Sequence, residues 1–352
     1  VINALQRCWY RRCPAWFFGV HVLLAMPLAV VFRILVGLRG ALYRYGLLRV
    51  ERLPVPVIVV GNINVGGSGK TPLTITLVEW LRQAGFRPGI VSRGYGGRAT
   101  TPMPVMPESD PALVGDEPVL LARRAACPVW IGRKRAAAAR QLLAFHPEVD
   151  VLIADDGLQH LALARDVELV VVDAARGFGN GWPLPAGPLR EPVSRLARVD
   201  AVVVNGEAVR PLGLPCPSFT MHIVGARFVN LAEPERCVTS GHFKADGGGE
   251  PLHAIAGIGH PERFFRQLTE LGLAATPLAF PDHHVFRESD LPTGTVLMTE
   301  KDAVKCVAIG QRLKRRDLWF LAVDAEVDAG LQRLIIDLLK PTKRKPHGPQ
   351  TA

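Results

Sequence analysis

The sequence predicts an α/β fold in which a parallel-sheet core is followed by a smaller C-terminal α/β domain, with an apolar helix ahead of both. Three observations carry this expectation. Short β-branched runs alternate with helical spacings between residues 57 and 205, as expected of parallel strands covered on both faces. The pattern breaks near residue 217, and a second strand–helix series starts at 252. Apolar residues make up 48% of the 352, enough to fill two cores. The expected division is a helical segment over 1–45, a core over 46–217, a β-ribbon linker over 218–232, a smaller α/β domain over 233–340 and a basic tail over 341–352.

The helical segment comes first. Residues 15–32 carry no formal charge for 18 residues, the lower edge of a membrane span. Arg11, Arg12, Arg33 and Arg39 flank the run, and Pro27 and His21 interrupt it. A cleaved signal peptide is disfavoured, because no small-x-small site follows. A full span, a buried core helix and a helix lying in the cytoplasmic leaflet remain. The last is preferred, since aromatic residues bunch at one end (Trp9, Tyr10, Trp16, Phe17, Phe18) and arginines suit anionic headgroups. The formal charge of +10 is concentrated here: residues 1–52 hold eight arginines, no lysine and one acid, Glu51. Lys340 to Lys345 add a second basic patch. Such asymmetry points to an anionic surface, either nucleic acid or membrane. The six cysteines form no CxxC pair and no metal-ligand spacing, which reads as reduced thiols in a cytosolic setting.

The core elements follow in order. Residues 57–60 form a continuous β-branched run, typical of a buried parallel strand. A helix is predicted over 73–84, a strand over 89–93, a loop over 98–115, a helix over 117–126 and a short strand over 129–131. An alanine-rich helix over 133–145 leads to a strand at 149–154, and further strands are predicted at 168–172 and 201–204. Runs 219–224 and 226–231 flank Gly225 and suggest the ribbon. In the second domain, strands are expected at 252–258, 296–299 and 318–323, with a helix over 261–271.

Between the first strand and the first helix, Asn64, Val65, Gly66, Gly67, Ser68, Gly69, Lys70 and Thr71 nearly match G-x-x-x-x-G-K-[ST]. Glycines let backbone amides converge on phosphate oxygens, and the helix behind adds its positive end. Lys70 is expected to reach the β- and γ-phosphates, and Thr71 to ligate Mg²⁺. Asn64 replaces the first glycine, a substitution read as tolerable because asparagine adopts positive φ more readily than other residues. Pro72 falls in the first helical turn, where no amide donor is needed. A metal-holding acid is expected at the end of a neighbouring strand, and Asp155 and Asp156 follow the run 151–154. Either could bind the metal while the other orients substrate or water. The core is thus P-loop NTPase-like, with a nucleoside triphosphate and Mg²⁺ as its expected ligands.

Further segments carry a resemblance: VGNINVGGSGKTP (60–72), SRGYGG (92–97), GDEP (115–118), ADDGLQH (154–160), PAGPLREP (185–192), AGIGHPERFF (256–265), FPDHHVF (280–286) and TEKDAVK (299–305). Together they make the chain similar to the tetraacyldisaccharide 4'-kinases of lipid A biosynthesis over nearly its whole length. The resemblance implies transfer of phosphate from ATP, with Mg²⁺, to the 4'-hydroxyl of a tetraacylated glucosamine disaccharide 1-phosphate. It also implies a place on the cytoplasmic face of the bacterial inner membrane, a membrane-docking N-terminal helix, and a P-loop kinase core joined to a smaller domain through a β-ribbon. A monomer with no nucleic-acid partner is expected.

The resemblance also implies roles for particular residues. Asp116, otherwise a helix N-cap, is implied as general base on the 4'-hydroxyl. One of His283 and His284 is implied to tune it, and the sequence does not choose between them. His160 either orients the aspartate pair or satisfies a turn, and Gln159 precedes it. Arg135 is implied as a phosphate or sugar ligand in place of a solvated helix face. Arg190 and Glu191 lie in a Gly/Pro-rich loop, 177–192, of the kind that closes over substrate, and Tyr95, Gly96 and Gly97 belong to a comparable loop after the second strand. Glu300, Lys301 and Asp302 either contact nucleotide or cap a helix.

Other classes fit less well. A P-loop GTPase or metallochaperone would need N-K-x-D, and Val204-Asn205-Gly206-Glu207 approximates it poorly. A nucleic-acid ATPase would explain the charge, but the basic residues surround an apolar helix and no aromatic binding sheet is evident. Dinucleotide binding through Gly257-Ile258-Gly259-His260-Pro261-Glu262 lacks the third glycine.

Overall fold

A computed structural model describes residues 8–10, 14–207, 212–245 and 251–343. Arg7, Arg11, Arg12 and the basic tail from 344 lie outside the described residues. The chain divides into two compact units: Val1–Arg93 with Lys134–His222 and Val327–Ala352, and Gly94–Arg133 with Ile223–Glu326.

The first unit is built on a parallel sheet. Its spatial order is Pro88–Ser92, Val151–Asp155, Val57–Gly61, Val167–Asp173, Ala201–Asn205 and the start of Ser218–Asn230. The first five strands are buried along their whole length, which is why they read as unbroken apolar runs without alternation. Val57–Gly61 lies in the middle and pairs Val60 with Asp155. That register brings the loop after one strand beside the acidic pair ending its neighbour. Ligands in such sheets bind outside the carboxyl ends of the strands. The helix Lys70–Gln83 starts directly after the loop, with Pro72 in its first turn. The helix Arg135–Phe145 buries Ala138, Ala139 and Leu142, so its alanines permit close packing.

The apolar helix Ala15–Arg44 also belongs to this unit. From His21 onward it is long and apolar enough to cross a membrane. Ala25 and Ala29 of this helix pack on Ala186. Leu23, Leu24, Leu28, Ile34, Leu35 and Leu38 are all more than half exposed, unlike the side chains of a core helix.

In the second unit, Thr276–Ala279, Leu252–Ala256, Thr295–Thr299 and Leu318–Val327 run parallel in that spatial order. Ser218–Asn230 is the next strand, and Cys237–Thr239 pairs antiparallel with its end. The helices Pro261–Glu270 and Glu300–Arg312 each bury one side. Residues 94–133 join this unit because the helix Asp116–Arg124 packs on Glu300–Arg312, and Arg124 Nη1 fastens the contact by donating to both carboxylate oxygens of Glu300.

Two expectations need correction. Residues 98–115 are not all loop: they contain the strand Met103–Val105, paired with Val129–Ile131, and a single helical turn, Pro111–Val114. Both are too short for periodicity to reveal. The runs flanking Gly225 form one continuous strand, Ser218–Asn230, with no turn at the glycine. Its ribbon partner is Leu318–Val327, antiparallel to it: Leu231 N donates to Leu318 O and Asp328 N to Thr220 O. Long-range pairing of this kind leaves no local signal.

Candidate active site

Two clusters of charged side chains stand out, one in each unit. In the first, the glycine-rich loop over residues 64–71, the expected phosphate loop, is braced from several sides. Asn62 Nδ2 donates to Gly66 O at 3.0 Å, and Asn205 Nδ2 donates to Ser68 O at 2.9 Å. Asn205 therefore holds the loop, which accounts for it without a base-reading role. Val65 N donates to Pro188 O at 2.9 Å and Arg190 N to Ile63 O at 2.7 Å, so the 177–192 loop supports the outer edge. Gly69 is the N-cap of Lys70–Gln83 at φ 96, and no side chain caps the helix. A Cβ there would lie 2.5 Å from Asn205 Nδ2. Only glycine serves at this position.

Asn64 departs from the expectation drawn for it. It is not among the residues with positive φ, and its Nδ2 donates to Gly177 O at 2.7 Å. The asparagine is a side-chain tether, not a stand-in for glycine's backbone freedom.

Lys70 Nζ lies 3.4 Å from Asp156 Oδ1, and Arg190 Nη1 lies 3.5 Å from the same oxygen. Asp156 adopts a left-handed backbone, φ 48, directly after the strand, a strained geometry typical of functional positions. Burial works to raise its pKa, but Lys70, Arg190 and Arg135 outweigh that and hold it below the usual carboxylate value. Asp155 is almost fully buried and faces the hydroxyls of Thr74 and Ser92, each 3.4 Å away.

Arg135 is buried, and its Nη2 donates to Asp156 O at 3.2 Å. Burial pushes its guanidinium down to about 10, still charged at neutral pH. Its own amide donates to His160 Nε2 at 3.2 Å. His160 thus supplies the cap that the N-terminus of Arg135–Phe145 otherwise lacks. Burial and the charges of Arg135 and Arg165 push the imidazole down to about 4, consistent with its acceptor role. Gln159 Nε2 donates to Asn62 O at 3.0 Å and to Glu191 Oε1 at 2.8 Å. Arg195 grips Glu168 through both oxygens at 2.6 Å and reaches Glu191 at 3.3 Å, tying the 177–192 loop to the sheet.

In the second unit, Asp116 opens the helix Asp116–Arg124, and Gly115, not Asp116, is the N-cap. The carboxylate is 5% exposed. It faces His283 Nδ1 at 3.1 and 3.2 Å and accepts from Glu117 N at 2.9 Å. Lys301 and Lys305 each place Nζ 3.9 Å from Asp116 Oδ2. Burial opposes its ionisation, but the His283 hydrogen bond and the two lysines prevail and hold the carboxyl below its ordinary value. The same hydrogen bond raises His283, against its own partial burial. His283 also has a left-handed backbone, φ 58, and lies against Tyr95, centroids 5.0 Å apart.

His284 is elsewhere. It stacks on Phe280 and pairs with Asp290 at 3.0 Å. The structure therefore brings Asp116 together with His283 and leaves His284 in an aromatic cluster. Asp302 is fully buried; it accepts from Gly257 N at 2.9 Å and from Thr299 Oγ1 at 2.7 Å, and pairs with Lys305 at 2.7 Å. Lys305 was missed by sequence reasoning. The available signal was its spacing, four residues after Lys301 on one helix face. Thr74, Ser92 and Arg195 had no comparable signal, because their partners are distant in sequence.

An uncapped helix behind a glycine loop, a lysine paired with the aspartate that follows the neighbouring strand and a separate carboxylate–imidazole pair together define a P-loop phosphotransferase. Residues 21–340 match the family model described as tetraacyldisaccharide-1-P 4'-kinase, and the chain belongs to that family. It is similar to the tetraacyldisaccharide 4'-kinase of Dechloromonas aromatica, 51% identical over 96% of this chain and 97% of that protein. It is likewise similar to the enzyme of that name from Azoarcus sp., 50% identical over 92% and 93%. Among solved structures it resembles LpxK from Aquifex aeolicus in complex with ATP, with a TM-score of 0.74 and 27% identity over 89% of this chain and 98% of that one.

Histidine NMR checks the two imidazoles. His160 should stay neutral down to about pH 4. His283 should titrate above the ordinary histidine value, and in Asp116→Asn it should fall, because the anion that favours the imidazolium is gone. A His283 pKa that does not move in Asp116→Asn would contradict the pairing.

Proposed function

We propose that the chain transfers the γ-phosphoryl group of ATP to the 4'-hydroxyl of a tetraacylated glucosamine disaccharide 1-phosphate, in lipid A biosynthesis. Family membership over residues 21–340 carries the reading. The complete, braced phosphate loop supports it. The bond from the γ-phosphorus to the bridging oxygen breaks, a bond from the 4'-oxygen to phosphorus forms, and ADP leaves.

The loop amides and Lys70 bind the phosphates. Lys70 and Arg190 are already directed to one spot by Asp156, so binding exchanges one anionic partner for another. Asp116 accepts the proton of the 4'-hydroxyl. A depressed pKa makes it a weak base, but phosphoryl transfer runs through a loose transition state that asks more for alignment than for basicity. His283 and the two lysines keep Asp116 ionised and aimed. Arg135, Arg190, Glu191, Gln159 and His160 shape the substrate side, His160 and Gln159 by holding Arg135 and Glu191.

Mg²⁺ suits this donor set. It takes oxygen ligands and keeps several waters, needing only one or two protein groups beside the phosphates. Thr71 and Asp155 would hold it; Asp155 is a buried carboxylate at the strand end, held between two hydroxyls. When bound, the ion neutralises charge on the phosphates. The exposed leucines of Ala15–Arg44 suit a peripheral place on the cytoplasmic face of an anionic inner membrane.

Purified chain should move labelled phosphate from ATP onto the tetraacyl disaccharide 1-phosphate; unlabelled lipid beside an active control would sink the reading. Asp116→Asn should lower kcat by about 10²–10⁴-fold with nucleotide affinity retained. Equal losses in both would remove it as base. On vesicles containing phosphatidylglycerol the full chain should co-sediment, and Leu24→Glu with Leu28→Glu should release it. Retention of the double variant would argue against docking through this helix.

A further inference from the structure

The aromatic pair just ahead of the apolar helix is not placed as a membrane anchor would be. Trp9 is 7% exposed, and its Nε1 donates to Pro185 O at 2.9 Å. Its main chain is equally close to the protein: a Cβ on Gly179 would lie 2.9 Å from Trp9 O. Further along, Ala25 and Ala29 cover Ala186. Thus three points of the N-terminal segment press on residues 179–186.

The same loop supports the nucleotide loop on its other side. Gly177 O takes Asn64 Nδ2, Pro188 O takes Val65 N, and Leu189 bridges to Asn64. Tyr10 reaches the contact directly. Its ring lies under the Arg176 guanidinium, 5.3 Å from the centroid, and its hydroxyl sits beside the Asn64 and Arg176 side chains. Arg176 Nη1 in turn lies 3.0 Å from where a Cβ on Gly66 would be, and Gly66 has φ 104. From Tyr10 to the crest of the phosphate loop is two contacts.

We infer that Trp9 and Tyr10 are positioning residues for the phosphate loop. They clamp Arg176 and the 177–190 loop against Asn64 and Gly66, so the segment before the apolar helix is part of the nucleotide site as well as a tether. The physical need is clear: a loop with three glycines loses much conformational freedom when it closes on phosphates, and bracing it beforehand lowers that cost. The inference rests on the nucleotide reading of the loop.

The experiment uses the full chain and a non-hydrolysable ATP analogue with Mg²⁺, titrated by calorimetry, with vesicle co-sedimentation and Tm measured in parallel. Tyr10→Ala should weaken analogue binding about tenfold, through loss of the ring under Arg176 and of the hydroxyl beside Asn64 and Arg176, with vesicle retention unchanged. Tyr10→Phe keeps the ring under Arg176 and should weaken it about threefold at unchanged Tm, which keeps the test valid if Tyr10→Ala melts early. Leu24→Glu with Leu28→Glu should do the reverse, reducing vesicle retention and leaving analogue affinity intact. Affinities of both Tyr10 variants within twofold of wild type, or a loss of vesicle retention alone, would overturn the inference. If wild type itself does not bind the analogue, the nucleotide reading falls first.

Discussion

The helix Lys70–Gln83 begins without a side-chain cap, and the rest of the first unit is arranged around that fact. The amides of a helix's first turn have no partners within the helix and must find them elsewhere. Here the N-cap is a left-handed glycine with no side-chain cap, and in the proposed reaction the phosphates of ATP take these amides. An anion-binding loop works only if it is held in shape before the anion arrives. Asn62, Asn205 and the 177–192 loop do this, each through a hydrogen bond to the loop's own backbone or to Asn64. The central strand fixes where the loop starts, and the pairing of Val60 with Asp155 fixes which acid stands beside it.

The two clusters solve one electrostatic problem in the same way. A buried carboxylate is costly unless cations offset its lost hydration. Asp156 has Lys70, Arg190 and Arg135; Asp116 has His283, Lys301 and Lys305. Both are thereby kept ionised at neutral pH. The cations around Asp156 are the groups that bind phosphate in the proposed reaction, so the acid holds them ready until substrate takes over. Those around Asp116 have a second set of anions: Lys301 also contacts Glu117 and Asp282, and Lys305 contacts Asp302. That ties them down and keeps the Asp116–His283 pair in register.

Much of the fold was legible in the sequence because buried parallel strands leave a local mark. The runs at 57–60 and 201–204 were found within a residue or two of their observed ends. The position of residues 64–71 between the first strand and the helix Lys70–Gln83 was legible for the same reason, since the segment is contiguous. What failed was whatever depended on distant partners. Asn64 looked like a substitute for glycine because only its own backbone was considered; its tether, Gly177, lies far along the chain. His283 and His284 are adjacent and identical, and only the fold separates them, turning one toward Asp116 and the other toward Phe280. The strand Ser218–Asn230 was broken at Gly225 because glycine so often marks a turn. In the fold, the glycine is there because Ala322 O would sit 2.7 Å from any Cβ.

The proposed reaction requires the phosphate loop, in its present backbone shape, to bind ATP. Gly69→Ala addresses it most directly, because the substitution strains a φ of 96 and drives a methyl group into Asn205 without touching any charged side chain. Calorimetric titration of ATP with Mg²⁺ into wild type and Gly69→Ala, with far-UV circular dichroism to check the fold, should show binding in the first and loss of at least about tenfold in affinity in the second. Equal affinity in the two folded proteins would mean that ATP does not bind at this loop.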